Sequence, residues 1–232
     1  MILNNPKLFV ALDFDTLEDV KEFGQKITPE KCGVKVGKEL FTLGGPSIVE
    51  WFQNKNFDVF LDLKFHDIPN TVKKACYVAS KLGVWMLNVH AMGGNEMLNA
   101  AKEGVDQSNE DPYLIAVTIL TSMNNKDLND IGIMHSVSDE ILKLAMNVAS
   151  HKLDGIVCSA NDIRDIKAFL PKNFVYVTPG IRLNSEEQDD QKRIMTPEAA
   201  IQEGSNVLVV GRPITRSKTP DDVIEEILKR IS

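Results

Sequence analysis

The feature that most constrains this chain is the alternation of eight short apolar runs with segments of helical periodicity. The runs are rich in β-branched and aromatic residues, and most are apolar on both faces, which is typical of strands buried in a parallel sheet. They cover residues 8–14, 33–37, 58–64, 85–90, 113–120, 155–159, 174–180 and 207–211. Eight such strands alternating with helices in 232 residues predict a single-domain (β/α)8 TIM barrel over residues 1–232.

Helical signals lie between these runs. Apolar residues at helical spacing across residues 72–82 predict a helix that stops at Gly83, and Ser138 is predicted to cap a later one. Thr196 and Thr219 are each followed by proline, a pair typical of a helix start. A doubly wound open sheet is the competing architecture, but the glycine-rich turn expected after its first strand is absent.

The net charge argues against some kinds of binding partner, and the cysteine content indicates the cellular compartment. The net charge of −7 argues against nucleic-acid binding and against anionic membrane surfaces. The three cysteines form no CxxC pair and are expected to be reduced thiols of a cytoplasmic protein. The N-terminus is not signal-like, and no run approaches the roughly 20 apolar residues of a membrane helix.

The densest group of charges follows the third apolar run. Asp62 and Lys64 are two residues apart, so on a strand they project from one face, into the open end of a barrel. Asp67 lies beyond the strand and is free to approach the same lysine from another side. Opposite charges within about 4–6 Å favour the charged form of a lysine. This pattern predicts a proton donor rather than a Schiff-base nucleophile.

Polar residues also collect where the other predicted strands end, which is where barrel enzymes place their catalytic groups. They are Asp13, Lys35, His90, Thr121, Ser122, Arg182 and Arg212. Gly211 and Arg212 follow the eighth strand and are predicted to bind phosphate, and the polar segment 183–193 is interpreted as a lid. No second ligand at metal spacing accompanies His66 or His90, so no metal site is predicted.

Together these residues resemble the orotidine 5′-monophosphate decarboxylase family over nearly the whole chain. The resemblance depends on the motif at residues 62–71, supported by shorter matches elsewhere. Those matches are Val10-Ala11-Leu12-Asp13, Val34-Lys35-Val36-Gly37, Leu120-Thr121-Ser122, Thr178-Pro179-Gly180-Ile181-Arg182 and Val210-Gly211-Arg212. It implies a cofactor-free homodimer that converts orotidine 5′-monophosphate to UMP and carbon dioxide, the last step of de novo pyrimidine nucleotide biosynthesis.

The resemblance also implies a role for each matching residue. Lys64 would protonate C6 of the pyrimidine, and Asp62 would stand beside the carboxylate that leaves. Asp67 and Thr71 would reach the neighbouring active site across the dimer. The remaining substrate contacts would be Asp13 and Lys35 at the ribose, Thr121 at the ring, Gln191, Gly211 and Arg212 at the phosphate, and Arg182 at the base of the lid.

Two other functions remain open on the sequence. One is a magnesium-dependent sugar-phosphate decarboxylase of the 3-keto-gulonate 6-phosphate type, a related barrel that also carries an Asp-x-Lys-x-x-Asp motif. Those proteins need an acidic metal ligand at the end of the second strand, where this chain has Lys35. The other is a catalytically silent nucleotide-binding barrel, which would be expected to lose Lys64 or one flanking acid while keeping the phosphate site.

Overall fold

Eight strands pair in sequence order, each parallel to the next, and the eighth closes onto the first. This is the architecture of a computed structural model that describes residues 7–183 and 194–232. The strands are β1 (Lys7–Leu12), β2 (Gly33–Gly37), β3 (Val59–Phe65), β4 (Met86–His90), β5 (Tyr113–Val117), β6 (Gly155–Val157), β7 (Val175–Thr178) and β8 (Val207–Val210). The predicted (β/α)8 barrel is confirmed, and the open doubly wound sheet is not found.

Helices connect consecutive strands and pack on the outside of the barrel. They are α1 (Leu17–Gly24), α2 (Lys38–Gln53, interrupted at Gly45), α3 (Pro69–Lys81), α4 (Gly94–Ser108), α5 (Asn125–Asp130), α6 (Val137–Ser150), α7 (Ala160–Ile166), α8 (Pro197–Glu203), α9 (Arg212–Thr215) and α10 (Pro220–Ile231). The helix predicted to stop at Gly83 ends at Lys81, and Gly83 has a positive φ of 70°.

One predicted helix cap is wrong. The helix predicted to start at Ser138 starts at Val137, and its cap is Ser136, whose side chain accepts a hydrogen bond from the Asp139 amide. The Ser136 hydroxyl also donates to the Asp139 carboxylate, so both hydrogen bonds favour a helix that starts at Val137. Thr196 caps α8 as predicted, whereas Thr219 precedes Pro220 without a side-chain capping bond.

The predicted strands ran too far towards their C-terminal ends. The runs at 8–14, 113–120, 155–159 and 174–180 stop pairing two or three residues early. At this end of the barrel the chains diverge into loops, and apolar residues such as Ile119 stay buried there without a strand partner. Hydrophobicity therefore marks burial at the barrel mouth better than it marks strand pairing.

The core has two layers. A large cluster fills the space between the strands and the surrounding helices, and a smaller one fills the barrel interior. At the N-terminal end of the interior, Phe9 stacks on Trp85 at 4.9 Å, and Trp85 contacts Tyr113 at 4.8 Å between ring centroids. Burying each such ring contributes about 1.5–3 kcal/mol. These rings fill the N-terminal end of the interior, and among the described residues the interior opens towards the C-terminal ends of the strands.

Strand β3 contains an irregularity that shapes the open end. Leu61 pairs with Leu87 and Phe65 pairs with Val89, so three residues of β3 stand opposite Asn88 alone. This bulge has two extra residues, and a shift of two keeps every side chain on its original face. Within it, Lys64 adopts a left-handed conformation with φ of 52°, which is costly for a residue other than glycine.

Candidate active site

A cavity of about 320 Å³ opens at the C-terminal ends of the strands. That volume is at the lower end of the range for small-molecule sites, and its position is where barrel enzymes place their substrates. It is lined by most of the residues that the sequence singled out: Asp13, Lys35, Asp62, Lys64, Thr121, Arg182, Gly211 and Arg212. These eight residues, which the sequence placed at strand ends, therefore meet at a single cavity.

Three charged groups form the centre of this cavity. The Asp62 carboxylate accepts a hydrogen bond from Lys64 Nζ at 2.5 Å through one oxygen. Its other oxygen lies 3.1 Å from Lys35 Nζ. Lys35 is level with Phe60 and Met86 in the strand register and points into the barrel, with 12% of its side chain exposed. The result is a carboxylate held between two ammonium groups at the mouth of a barrel interior that is filled mainly by apolar side chains.

Charge neighbours control the protonation of Asp62. Burial acts most strongly on this group and on its own would raise the pKa of the carboxyl. The opposing charges of Lys35 and Lys64, together with hydrogen bonds from Lys64 and Asn88, outweigh burial and hold the pKa of Asp62 below its ordinary value. Asp62 is therefore a carboxylate at neutral pH, and its charge keeps the two ammonium groups together.

Asn88, which is not among the residues predicted from the sequence, lies beneath this charged group. Its side chain is fully buried, its Nδ2 donates to Asp62 at 2.7 Å, and its Oδ1 accepts the Lys64 backbone N–H at 2.8 Å. A usable signal was present, since Asn88 is a polar residue inside the apolar run at residues 85–90 and shares the inward face of Met86. A buried amide with both ends satisfied is a strong positional restraint.

The opposite rim of the cavity carries the predicted phosphate residues. Gly211 follows β8, and Arg212 begins the short helix α9. A Cβ added to Gly211 would lie 3.7 Å from Asp13 Oδ2, so the end of β1 adjoins this loop. Arg182 is 5% exposed and donates to the Ile181 carbonyl at 3.0 Å. Backbone bonds from the Arg182 amide to Met195 and from the Met195 amide to Gly180 join the two ends of the segment predicted as a lid.

Two predicted residues that the structure describes, Asp67 and Thr71, do not line the cavity of this chain. Asp67 and Thr71 are exposed, the first in the turn after β3 and the second in the first turn of α3. The Asp67 carboxylate accepts the Ile68 backbone N–H at 2.6 Å, and no ion pair between Asp67 and Lys64 forms among the described residues. Gln191 and most of the predicted lid lie in segment 184–193, outside the described residues.

Two histidines stand beside the charged group. The His66 and His90 rings are 5.3 Å apart between centroids, with an angle of 31° between their planes. Partial burial, reinforced by the neighbouring charges of His66, Lys38 and Lys64, lowers the pKa of His90 to about 4. Across residues 7–183 and 194–232, no group of three or more His, Cys, Asp or Glu side chains is arranged to hold a metal ion.

None of the helices in the described parts of the chain is long and apolar enough to cross a lipid bilayer. The cysteines Cys32, Cys76 and Cys158 are free and buried. Burial raises the pKa of Cys32 and of Cys76 to about 12, so neither thiol ionises near neutral pH.

Several known proteins similar to this chain are described as orotidine 5′-phosphate decarboxylases. Residues 6–227 match the model of the orotidine 5′-phosphate decarboxylase / HUMPS family. The chain is 51% identical to an orotidine 5′-phosphate decarboxylase of Legionella pneumophila over 225 residues, which is 97% of this chain and 98% of the relative. It is 52% identical to the protein of that name in Vibrio cholerae over 226 residues, with the same coverage.

The fold has close solved counterparts as well. The crystal structure of orotidine 5′-phosphate decarboxylase from Lactobacillus acidophilus superposes with a TM-score of 0.88 at 34% identity, covering 98% of this chain and all of that one. The family model spans far more than half of the chain, and the identity to the bacterial relatives extends over nearly the full length of both proteins. On the barrel, the cavity and these matches together, this chain belongs to the orotidine 5′-phosphate decarboxylase / HUMPS family.

Proposed function

We propose that this protein decarboxylates orotidine 5′-monophosphate to UMP and carbon dioxide, the last step of de novo pyrimidine nucleotide biosynthesis, without metal or organic cofactor. The observation that carries the proposal is the Lys35–Asp62–Lys64 group at the mouth of the barrel. Close bacterial relatives with this description support it, as does the family match over residues 6–227, which is consistent with one catalytic domain.

The chemistry requires a cation and a proton at one carbon. Loss of carbon dioxide from C6, an sp² carbon without an electron sink, leaves a vinyl carbanion in the plane of the ring. Lys64 Nζ stabilises the developing negative charge and then donates a proton to C6, which completes UMP. Asp62 fixes the ammonium group and stands beside the departing carboxylate, while Lys35 balances the charge of Asp62 from the other side.

The rest of the substrate is held around the rim. Asp13 and Lys35 would bind the ribose hydroxyls, and Thr121, after β5, would contact the pyrimidine ring. Arg212 and the Gly211 backbone would bind the phosphate, with Gln191 from the segment outside the described residues and Arg182 at its base. The free energy of binding the remote phosphate holds the pyrimidine ring in place at Lys64. It thereby lowers the activation free energy of decarboxylation.

The direct test is loss of the ultraviolet absorbance of orotidine 5′-monophosphate on adding purified protein in the presence of a chelator. Rapid turnover is expected. Tight UMP binding without turnover would instead indicate a silent nucleotide-binding barrel. Turnover that the chelator stops would favour the magnesium-dependent relatives, although the inward-pointing Lys35 occupies the position at which those enzymes need a carboxylate.

The proposal includes a homodimer in which Asp67 and Thr71 complete the partner's active site. Both residues are exposed; Ile68, which follows Asp67 in the chain, is 67% exposed, and Val78 further along α3 is 58% exposed. Apolar surface of this kind, beside charged residues with no role in their own cavity, is typical of an interface between copies of a chain.

Subunit mixing tests this arrangement. Lys64→Ala and Asp67→Ala would each inactivate a homodimer, but a mixed dimer would contain one site with both original residues. Refolding the two variants together at equal amounts should restore about a quarter of the sites, since half of the dimers are mixed and half of their sites are intact. If the mixture stayed as inactive as its components, Asp67 would not act across an interface.

The proposed location is the cytoplasm. Three buried free cysteines support it, because an oxidising compartment favours disulfides. Fractionation of cells followed by the decarboxylation assay would test it, with activity expected in the cytoplasmic fraction.

A further inference from the structure

The β3 bulge leaves a gap in the pairing of the barrel at the point where the reaction takes place. Asp62, Leu63 and Lys64 stand opposite the single residue Asn88, so ordinary backbone pairing cannot reach all three. Leu63 packs outward against the outer core, and Asp62 and Lys64 face the cavity. Something other than the strand ladder must therefore fix the relative positions of the two charged residues.

The Asn88 side chain occupies this gap. Its Oδ1 accepts the Lys64 backbone N–H at 2.8 Å, which takes the place of the missing strand bond. Its Nδ2 donates to Asp62 Oδ1 at 2.7 Å, the oxygen that also accepts from Lys64 Nζ. One fully buried amide thus connects the backbone of the proton donor to the carboxylate that holds its ammonium group.

Both hydrogen bonds offset an unfavourable free energy at the residue that they hold. Lys64 is in the left-handed region, which a side chain with a Cβ adopts only when its surroundings enforce it. Asp62 is almost completely buried, and the Asn88 amide is one of the groups that offset the burial and favour its charged form. Asn88 does not line the cavity, so it serves neither substrate binding nor proton transfer directly.

We infer that Asn88 is a positioning residue for the decarboxylation: its amide holds the Lys64 backbone in the left-handed conformation and orients the Asp62 carboxylate towards the Lys64 ammonium. The inference rests on the proposed function and adds a residue that acts through Lys64 and Asp62. Without the amide, the bulge relaxes and the lysine Nζ moves away from the position where C6 would lie.

The central variant is Asn88→Leu, which keeps the number and branching of the side-chain heavy atoms and removes both hydrogen bonds. A misplacement of the proton donor by about 1 Å costs up to about a hundredfold in rate, so kcat should fall between about tenfold and a hundredfold. The dissociation constant for UMP should change less than about threefold, because the phosphate and ribose contacts are untouched. Hydrogen exchange of the Lys64 amide should accelerate, a readout that needs no activity.

Asn88→Asp separates the two bonds. The new carboxylate still accepts the Lys64 amide, so slow exchange of that amide should persist. Once ionised, this carboxylate cannot donate to Asp62 and adds a second negative charge beside it, so at a pH where it is ionised kcat should still fall at least tenfold. This near-isosteric variant also keeps the inference testable if Asn88→Leu does not fold.

Asn206→Leu is the matched control. The Asn206 side chain also accepts a backbone N–H, that of Tyr176 at 2.8 Å, but it lies at the N-terminal end of β8, away from the cavity. It should lower stability without lowering kcat of the folded protein. If both Asn88 variants matched wild-type kcat, or lost activity only in proportion to unfolded protein, Asn88 would be structural. If wild-type protein did not turn over but Lys64 exchange depended on Asn88 as described, the proposed function alone would fail.

Discussion

Asp62 is the residue on which the charges of the cavity converge. It accepts from Lys64 and Asn88 and is paired with Lys35, so removal of any one partner leaves two others in place. Because of this redundancy, the arrangement of the cavity does not depend on the residue that donates the proton. A variant that lacks the proton donor can retain the cavity, and binding and turnover can then be measured independently.

Lys64→Ala should abolish turnover, by about 10³-fold or more, because the proton donor and the positive charge at C6 are lost together. UMP binding should remain measurable by calorimetry, since the phosphate residues are unchanged. Lys172→Ala is the control, an exposed lysine in the loop before β7 at the other end of the barrel. Near-normal turnover of Lys64→Ala would show that the proton comes from another group.

His90 should make the stability of the protein depend on pH. The pKa of His90 is about 4 in the folded protein against an ordinary value of 6.5. Between these two pH values the ring is therefore protonated in the unfolded chain and neutral in the folded chain. Stability is therefore lost as the pH falls from 6.5 towards 4, by about 1 kcal/mol after allowance for solvent screening of a partly exposed ring.

His90→Gln removes this titration. The free energy of unfolding in urea, measured at pH 7 and pH 4.5, should fall less in the variant than in wild type. Equal losses in the two proteins would assign the acid sensitivity to other groups. The groups that face His90 are His66, Lys38, Lys64 and Asp62, of which only Asp62 favours the protonated ring.

At the scale of elements, the contact between α3 and α4 determines where the turn that carries Asp67 is held. Gly104 of α4 packs directly on the backbone of α3: an added Cβ would lie 2.2 Å from the Lys73 carbonyl oxygen. Only a residue without a Cβ permits this approach. The start of α3, and with it Asp67 and Thr71, is positioned through that contact.

Gly104→Ala should lower the free energy of unfolding by about 1–3 kcal/mol, because the helices must separate to accept the methyl group. Helix propensity alone predicts the opposite sign, a gain of about 0.5–1 kcal/mol. Gln107→Ala on the exposed face of α4 is the matched control and should change stability by about 0.5 kcal/mol or less. Chemical denaturation of both variants shows whether the steric clash or the helix propensity of alanine dominates the free energy of unfolding. A stabilised Gly104→Ala variant would contradict the close contact between the helices.

The elements also show how far the sequence could predict the fold. Buried parallel strands carry a strong apolar signal, which is why β2 was predicted with its exact bounds, Gly33–Gly37. The β3 bulge carries no such signal. Two extra residues leave Asp62 inward, Leu63 outward and Lys64 inward, as in a regular strand, so the alternation of side chains is the same with or without it. A polar Asn88 inside an apolar run was a signal of a buried role, but its bond to the Lys64 amide could not be predicted, because only the bulge exposes that amide.

At the scale of the whole molecule, the cavity of one chain lacks two of the residues expected to serve it. The spacing of Asp62 and Asp67 alone left Asp67 free to approach the same lysine, and only the resemblance to the family directed it to a neighbouring site. Asp62 points into the barrel, and Asp67 lies exposed on the surface beyond β3. Short separation along a chain does not determine direction once a strand has ended in a turn.

Ile68→Glu should convert the proposed dimer to monomers and reduce turnover together. It places a charge next to Asp67 at a side chain that is 67% exposed in the single chain. Phe169→Glu is the control, since Phe169 is 61% exposed in the turn that follows α7, far from α3. Sedimentation velocity and the decarboxylation assay should both separate the two variants. A fully active Ile68→Glu monomer would remove the need for a partner.

The two-residue bulge also limits how this chemistry could be moved to another protein. Copying the side chains of Asp62, Lys64 and Asn88 onto an ideal strand of a designed barrel would leave the lysine backbone in an extended conformation and its amide already bonded to the neighbouring strand. The transplant would need the extra length of chain as well, and in steps of two, since a single inserted residue would turn Lys64 out of the barrel. For an engineer, the transferable unit is a pair of strands of unequal length, not a set of residues.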